Sequence, residues 1–135
     1  MSPLILLLAF DLAAVSAEPN LEKRADKALD HAAQLISTLR DTYNSGEMKK
    51  LATTLDEITQ SVELCRKSLE ASGKNARRSP KYFKKAEMRT HDFERRLERF
   101  QTDMGAMDRP VAEKTVEHVR KVHEGLLDDM MGRKK

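Results

Sequence analysis

The chain has 135 residues, of which 35% are charged and 39% are hydrophobic, and 25 basic side chains stand against 22 acidic ones. This length supports one domain with a single core and excludes two domains of ordinary size. A single cysteine excludes an internal disulfide, and the sustained apolar patterns along the chain argue against disorder despite the high charge.

The N-terminal segment is expected to be an export signal. The apolar run Leu4–Phe10 is followed by small residues at Val15–Ala17, which precede a predicted cleavage site at Glu18. Asp11 interrupts the apolar stretch and no basic residue precedes it, so the alternative is an apolar helix that stays attached to the domain. A run of this length is too short to span a membrane, which takes about 20 apolar residues. We therefore predict a signal peptide over residues 1–17, with a periplasmic or secreted product, and a cytoplasmic location as the alternative.

Four helix-length stretches follow, and in each the apolar residues recur at alternating spacings of three and four, which places them on one side of a helix. The predicted stripes are Leu21, Ala25, Ala28, Leu29, Ala32, Leu35, Ile36 and Leu39; Met48, Leu51, Leu55, Ile58, Val62, Cys65 and Leu69; Phe83, Ala86, Thr90, Phe93, Leu97, Phe100 and Met104; and Ala112, Thr115, Val119, Val122, Leu126 and Met130. Matched helix lengths and short connections predict an all-α fold, an antiparallel up-down four-helix bundle over residues 18–135.

Capping residues mark the ends of these stretches. Asn20 is the predicted N-cap of the first helix, and Gly46 can adopt the left-handed conformation that ends it. Ser79 is the predicted cap of the third helix, with Pro80 in the first helical position, where its missing N–H has no consequence. Asp108 is the predicted cap of the fourth helix.

A basic cluster is the strongest functional signal. Between residues 74 and 89 there are seven cations and one acid, whereas residues 18–73 and 90–135 carry no net positive charge. The cations are Lys74, Arg77, Arg78, Lys81, Lys84, Lys85 and Arg89. Positive charge at a helix N-terminus opposes the helix dipole, so helix stability does not explain this placement. We predict a site for an anionic partner, such as phospholipid headgroups or acidic polysaccharide. The alternative is a solubilising loop, or one that pairs with acids of the first two helices.

Specific nucleic-acid recognition is not expected at this cluster. Binding of single strands uses several aromatic rings on which successive bases stack. Of the two rings that interleave the cations, Phe83 lies on the predicted core stripe, which leaves Tyr82 alone.

All four histidines fall outside the predicted core stripes: His31, His91, His118 and His123. Glu87, His91, Glu94 and Glu98 share one side of the third helix, and His118 flanks the core of the fourth. Such spacing is usual for a solvated face, and the alternative is a weak surface site for Zn²⁺ or Cu²⁺.

Signatures of cofactors and enzymes are missing. The chain has no Cys-x-x-Cys-His for haem attachment, and the first helix has no Met that could pair with His123 as a haem ligand. It has no phosphate-binding loop, nucleophile elbow or metalloprotease motif. Cys65 lies on a core stripe, where we expect a buried, unreactive thiol. We predict a non-enzymatic protein without metal or other cofactor, and a metal- or haem-binding bundle is an alternative function.

The segment from Ser72 to Glu87, SGKNARRSPKYFKKAE, resembles a group of small, exported, uncharacterised bacterial helical proteins, and the similarity covers about residues 20–105. The resemblance implies that the Lys74–Lys85 connector is a recurrent element of that group, and it implies no activity. The functional prediction is an interaction module of the cell envelope that binds an anionic envelope component or another protein. A cytoplasmic helical adaptor is the alternative.

Overall fold

The computed structural model describes residues 12–73, 75–76 and 80–132, which are helical with short connections and include no strand. Within these ranges the long helices are α1, Leu21–Asn44; α2, Met48–Ala71; α3, Pro80–Asp103; and α4, Pro110–Met131. They have 22 to 24 residues each, or about 35 Å at 1.5 Å per residue. The prediction of an all-α fold is confirmed.

The ends of α1 follow the capping signals. The side-chain oxygen Oδ1 of Asn20 accepts a hydrogen bond from the backbone N–H of Lys23 at 2.9 Å, which satisfies one of the unpaired donors at the helix start. Gly46 has a φ of 75°, a left-handed conformation that glycine adopts without strain and that turns the chain towards α2. Ser79, the predicted cap of α3, lies outside the described residues.

Tyr43 ties the end of α1 to the turn between α3 and α4. Its hydroxyl donates to Asp108 Oδ2 at 2.7 Å and accepts from the backbone N–H of Gly105 at 2.8 Å. Its ring meets the Phe100 ring edge to face, with 6.0 Å between centroids. The prediction that Asp108 caps α4 is therefore wrong. Its carboxylate has a partner 65 residues away in the chain, and α4 begins at Pro110 without a side-chain cap.

The predicted stripes form the core. All of their residues are buried except Leu21, Met48 and Met130, which are half-buried near helix ends. Phe93, which is 1% exposed, lies near the middle of α3. Ala76, in the connector between α2 and α3, also joins the core, so part of that connector packs onto the helices.

The helices alternate in direction, as the predicted up-down arrangement requires, but they are not neighbours in the order of a simple up-down bundle. α1 packs against α2 and α3, and α4 packs against the same two helices. In a simple up-down bundle, α2 and α3 would be close antiparallel neighbours. Here Asp26 pairs with Lys85 and, further along both helices, Arg40 pairs with Asp103. From the first pair to the second, the residue numbers increase along both helices. The helices α1 and α3 are therefore neighbours that run parallel to each other.

The same holds for α2 and α4. Leu55 O accepts a hydrogen bond from Thr115 Oγ1, and further along both helices Glu63 contacts His118. The molecule is therefore two antiparallel hairpins, α1–α2 and α3–α4, placed side by side. The connector between α2 and α3 explains the difference, because its eight residues, 72–79, can reach roughly 26 Å when extended. That reach does not require α2 and α3 to be neighbours.

Gly125 of α4 lies beneath the end of the Arg66 side chain, which comes from α2. The guanidinium of Arg66 lies against the α4 backbone at this position, where an added Cβ would overlap it. Glycine inside a helix costs about 1 kcal/mol relative to alanine, and the flexible Arg66 side chain can move aside if a Cβ is added here.

Residues 12–16 form a short helical segment that packs on α1 and α2. Val15 is 9% exposed and belongs to the core. After it, the Glu18 carbonyl accepts from Arg24 Nε at 2.8 Å, and the Glu18 carboxylate accepts from the Lys27 ammonium at 2.6 Å. Residues 1–11, with most of the apolar run, lie outside the described residues. The signal peptide stays a prediction, and the packing of Val15 fits the alternative of an attached apolar segment.

None of the helices within the described ranges combines the length and the apolar character that crossing a bilayer requires.

Candidate functional site

The structure describes four of the seven residues predicted to bind an anionic partner. They lie on the first three turns of α3: Lys81, Lys84, Lys85 and Arg89. The remaining three belong to the connector and lie outside the described residues: Lys74, Arg77 and Arg78. The cluster is thus described along α3 alone.

Two of these four cations bind acids of α1. The Lys85 ammonium lies 3.1 Å from the Asp26 carboxylate, and the Arg89 guanidinium lies 2.6 Å from the Asp30 carboxylate. Both pairs are at the surface, where an ion pair contributes roughly 0–1 kcal/mol. Arg89 also lies 5.6 Å from the centroid of the Phe93 ring. This half of the described cluster therefore joins α1 to α3, as expected if part of the cluster pairs with the acidic side of the first helix.

The other two cations are more open to solvent. The Lys81 ammonium lies 5.4 Å from the centroid of the Tyr82 ring, and no described carboxylate forms an ion pair with it. The Lys84 side chain is 59% exposed and lies 3.5 Å from Glu87, one turn later on the same helix. Tyr82 is packed against the core, so its ring is not a free platform for stacking.

The prediction that the histidines lie outside the core is wrong for two of them. His31 is 4% exposed and His123 is 9% exposed. Each forms a hydrogen bond through Nε2 to a carboxylate of a neighbouring helix, His31 to Glu57 at 2.8 Å and His123 to Glu87 at 2.9 Å. A buried polar ring is acceptable when it has such a partner. The partner lies on another helix, so a pattern read along one helix does not reveal it.

His123 also lies next to two further residues of α3. Its ring centroid is 5.0 Å from that of His91, and its Nδ1 is 3.6 Å from Glu94 Oε1. Three residues each offer one potential ligand atom, and these three atoms lie within 4.8 Å of one another: His91, Glu94 and His123. The sequence placed His91 and Glu94 on one side of the third helix, but associated them with His118. In the structure His118 lies 2.8 Å from Glu63 of α2.

Arg120 holds the outer side of this group. It donates from Nε to Glu94 Oε2 at 3.3 Å, from Nη2 to Glu98 at 3.0 Å and from Nη1 to Glu117 at 3.1 Å. The hydrogen bonds to Glu94 and Glu98 raise the pKa of Arg120 above its usual value. Because Arg120 binds Oε2 of Glu94, the other oxygen of that carboxylate is left facing His123.

Glu87 lies on the inner side of the group. Burial by itself would raise its pKa, but the hydrogen bond with His123 and the positive charge of Lys84 outweigh burial and lower the pKa of Glu87 below its usual value. Glu87 is therefore an ionised acceptor for the His123 ring.

Cys65 has no accessible chemistry. Its side chain is fully buried on α2, and burial, with a smaller contribution from the charge of Asp26, raises the pKa of its thiol to about 12. The expectation that this thiol is buried is confirmed, and its raised pKa agrees with the expected low reactivity.

A second cationic surface lies towards the other end of α3. A groove of about 320 Å³ between α1 and α3 is lined by Ile36, Ser37, Arg40, Arg96, Arg99 and Phe100. Arg40 is engaged by Asp103 at 2.7 Å, and Arg96 lies 3.9 Å from Asp92.

No protein-family model, curated protein or solved structure matches this chain. The resemblance to small exported bacterial helical proteins therefore stays a prediction, and the geometry of the side chains carries the functional argument.

Proposed function

We propose that this protein is a non-enzymatic binding module that docks an anionic partner on the basic end of α3 and the adjoining connector. The observation that carries this proposal is that the four described cations of the basic cluster differ in their ion-pair partners. Lys85 and Arg89 are held by carboxylates of α1, whereas Lys81 and Lys84 extend from the first turns of α3 without a partner on another described helix. Lys81 can meet an external anion without losing an ion pair to a described carboxylate, and Lys84 gives up only its 3.5 Å contact with Glu87 of the same helix, a partly exposed pair that contributes roughly 0–1 kcal/mol.

The local charge supports the same surface. Seven cations of residues 74–89 stand against Glu87 in the segment and against Asp26 and Asp30 of α1, which leaves a net charge of +4. Elsewhere in the chain, acids balance or outnumber bases. Such a one-sided field attracts anionic surfaces and falls off within a Debye length of about 8 Å at physiological salt.

The test uses vesicles that contain an anionic phospholipid, and the double variant Lys81→Ala/Lys84→Ala. Each lysine close to an anionic membrane contributes about 1 kcal/mol, so the loss of two should weaken partitioning about 30-fold. Helical circular dichroism should be unchanged, because both side chains lie off the core. Higher salt should weaken binding of the original protein more than that of the variant. An acidic polysaccharide in the same assay distinguishes a polymer from a lipid surface as the partner.

The matched control is Arg96→Ala/Arg99→Ala. It removes the same charge from the same helix, but from the groove further along α3. Equal weakening by both variants would mean that net charge alone drives binding, and stronger weakening by the control would assign binding to the groove. The proposal also fails if the original protein binds neither vesicles nor polysaccharide at low salt.

Export and a four-helix bundle at residues 18–135 are part of this proposal. The apolar segment before Glu18 supports export, and four helices that share one core support the bundle. Intact-mass spectrometry of protein from its own cells decides between the two locations. A mass that corresponds to a chain beginning at Glu18 supports export. A mass that retains residues 1–17 contradicts it, and the packed Val15 then belongs to a cytoplasmic helical adaptor.

A further inference from the structure

The group formed by His91, Glu94 and His123 has the composition of a transition-metal site. Two imidazoles and one carboxylate are the protein ligands of many zinc centres, which complete a tetrahedron with water. His91 and Glu94 are one turn apart on α3, and His123 reaches them from α4. The anionic partner plays no part in this arrangement, and the described cation of the basic cluster that adjoins it is Lys84, which lies 3.5 Å from Glu87.

The hydrogen bond between His123 and Glu87 prepares the ring for a metal. The Nε2 of His123 lies 2.9 Å from Glu87 Oε2. A carboxylate acceptor favours the proton on Nε2, which leaves the lone pair of Nδ1 free for coordination. A carboxylate behind a ligating histidine is a frequent device in metal sites, where it fixes the tautomer and raises the basicity of the ring.

The ring nitrogen of His123 that does not contact Glu87 faces the carboxylate of Glu94. Nδ1 of His123 lies 3.6 Å from Glu94 Oε1. Two ligands that are each about 2.0 Å from a tetrahedral ion are about 3.3 Å apart, so a small side-chain adjustment brings both atoms to bonding distance. Arg120 binds the second oxygen of Glu94 at 3.3 Å and holds the carboxylate in this orientation.

The charges around the group favour a cation. Around the group, four carboxylates contact two cations, Lys84 and Arg120. The carboxylates are Glu87, Glu94, Glu98 and Glu117. The surplus of negative charge lowers the energy of a divalent ion there, although Arg120 reduces the effect of Glu94.

We propose that His91, Glu94 and His123 bind one divalent transition-metal ion, Zn²⁺ in the first instance, with Glu87 as the hydrogen-bonding partner that orients His123. The ion joins α3 to α4 near the middle of their hairpin. Imidazole ligands suit Zn²⁺, Cu²⁺ and Ni²⁺, and Cu²⁺ is expected to bind at least as tightly as Zn²⁺. Mg²⁺ and Ca²⁺ prefer sites made of oxygen atoms and should not compete.

The test is a titration of the metal-free, untagged protein with Zn²⁺ by calorimetry near pH 7.5, where an ordinary imidazole is neutral. One ion per chain is expected. His91→Ala removes one ligand, and Glu94→Gln replaces the charged carboxylate with a neutral, weakly coordinating amide. Neither residue is fully buried, so the variants should fold, and each should weaken Zn²⁺ at least tenfold. Glu87→Gln leaves all three ligands in place and should weaken Zn²⁺ by about 10–100-fold, as for other partners of metal-bound histidines.

The matched control is His118→Ala, which removes another α4 histidine with a carboxylate neighbour, Glu63. Its affinity for Zn²⁺ should equal that of the original protein. A second measurement follows the ring nitrogens by NMR, where Zn²⁺ should shift the Nδ1 resonance of His123. The proposal is overturned if Zn²⁺ affinity is unchanged in His91→Ala, if His118→Ala loses as much affinity, or if Mg²⁺ binds as well as Zn²⁺.

Discussion

Replacing Phe93 with alanine tests whether the side of α3 that faces the core carries the stability of the fold. The ring is 1% exposed near the middle of the helix, and the Arg89 guanidinium lies 5.6 Å from its centroid. Loss of a buried Phe costs about 3–5 kcal/mol in unfolding free energy, and loss of the cation–π contact with the partly exposed Arg89 adds about 0.5–1 kcal/mol. A domain of this size has only about 5–15 kcal/mol in total, so Phe93→Ala should lower Tm by roughly 10–20 °C.

Thermal and urea unfolding followed by far-UV circular dichroism measure this effect. Met88→Ala is the matched control, because Met88 lies on the same helix and is 58% exposed; substitutions at such surface positions change stability by about 0.5 kcal/mol or less. If Phe93→Ala unfolded no more easily than Met88→Ala, the conclusion that α3 packs on the core through this side would be wrong.

Three further outcomes follow from individual contacts. Tyr43→Phe removes the hydroxyl that joins α1 to the turn between α3 and α4 and leaves Asp108 without its partner, so unfolding free energy should fall by about 1–3 kcal/mol; an unchanged urea midpoint would contradict this. Cys65 should resist thiol reagents at pH 8 in the native state and react in denaturant, because burial raises its pKa to about 12; rapid labelling of folded protein would refute the burial. The hydrogen bond from Lys27 and that from the backbone of Asn20 lower the pKa of Glu18, so its contribution to stability is present above the ordinary pKa of a glutamate and is lost as pH falls through the lowered value. A carboxyl titration by NMR should show this lower midpoint, and Lys27→Met should return it towards the ordinary one; an unchanged midpoint in the variant would exclude the contact in solution.

Only part of the candidate metal group was visible in the sequence. The spacing of His91 and Glu94 puts both on one side of a helix, and this much follows from helix geometry alone. The choice of His123 over His118 depends on how α3 and α4 are aligned lengthwise. That alignment results from the packing of both helices with α1 and α2, so neither helix specifies it by itself.

The ion pairs of the basic cluster, like the metal group, could be predicted only in part from the sequence. Its seven cations are evident from composition, but the pairing of Lys85 with Asp26 and of Arg89 with Asp30 requires α1 and α3 to be parallel neighbours. An up-down order of the helices would have given these cations other partners. Among the described cations of the proposed docking surface, Lys85 and Arg89 are therefore engaged by α1, and Lys81 and Lys84 are left to meet an external anion.

The sequence by itself determined the all-helical class, the buried side of each helix and the cap at Asn20. These depend on spacings of three or four residues and on side chains that bond their own helix terminus, so they are local and can be read along one segment. Only the tertiary structure decided the side-by-side placement of the two hairpins, the engagement of Asp108 by Tyr43 and the burial of His31 and His123. Each of these depends on groups far apart in the chain: a polar side chain is buried when packing supplies a partner from another helix, and a connector of eight residues is long enough to allow more than one helix order.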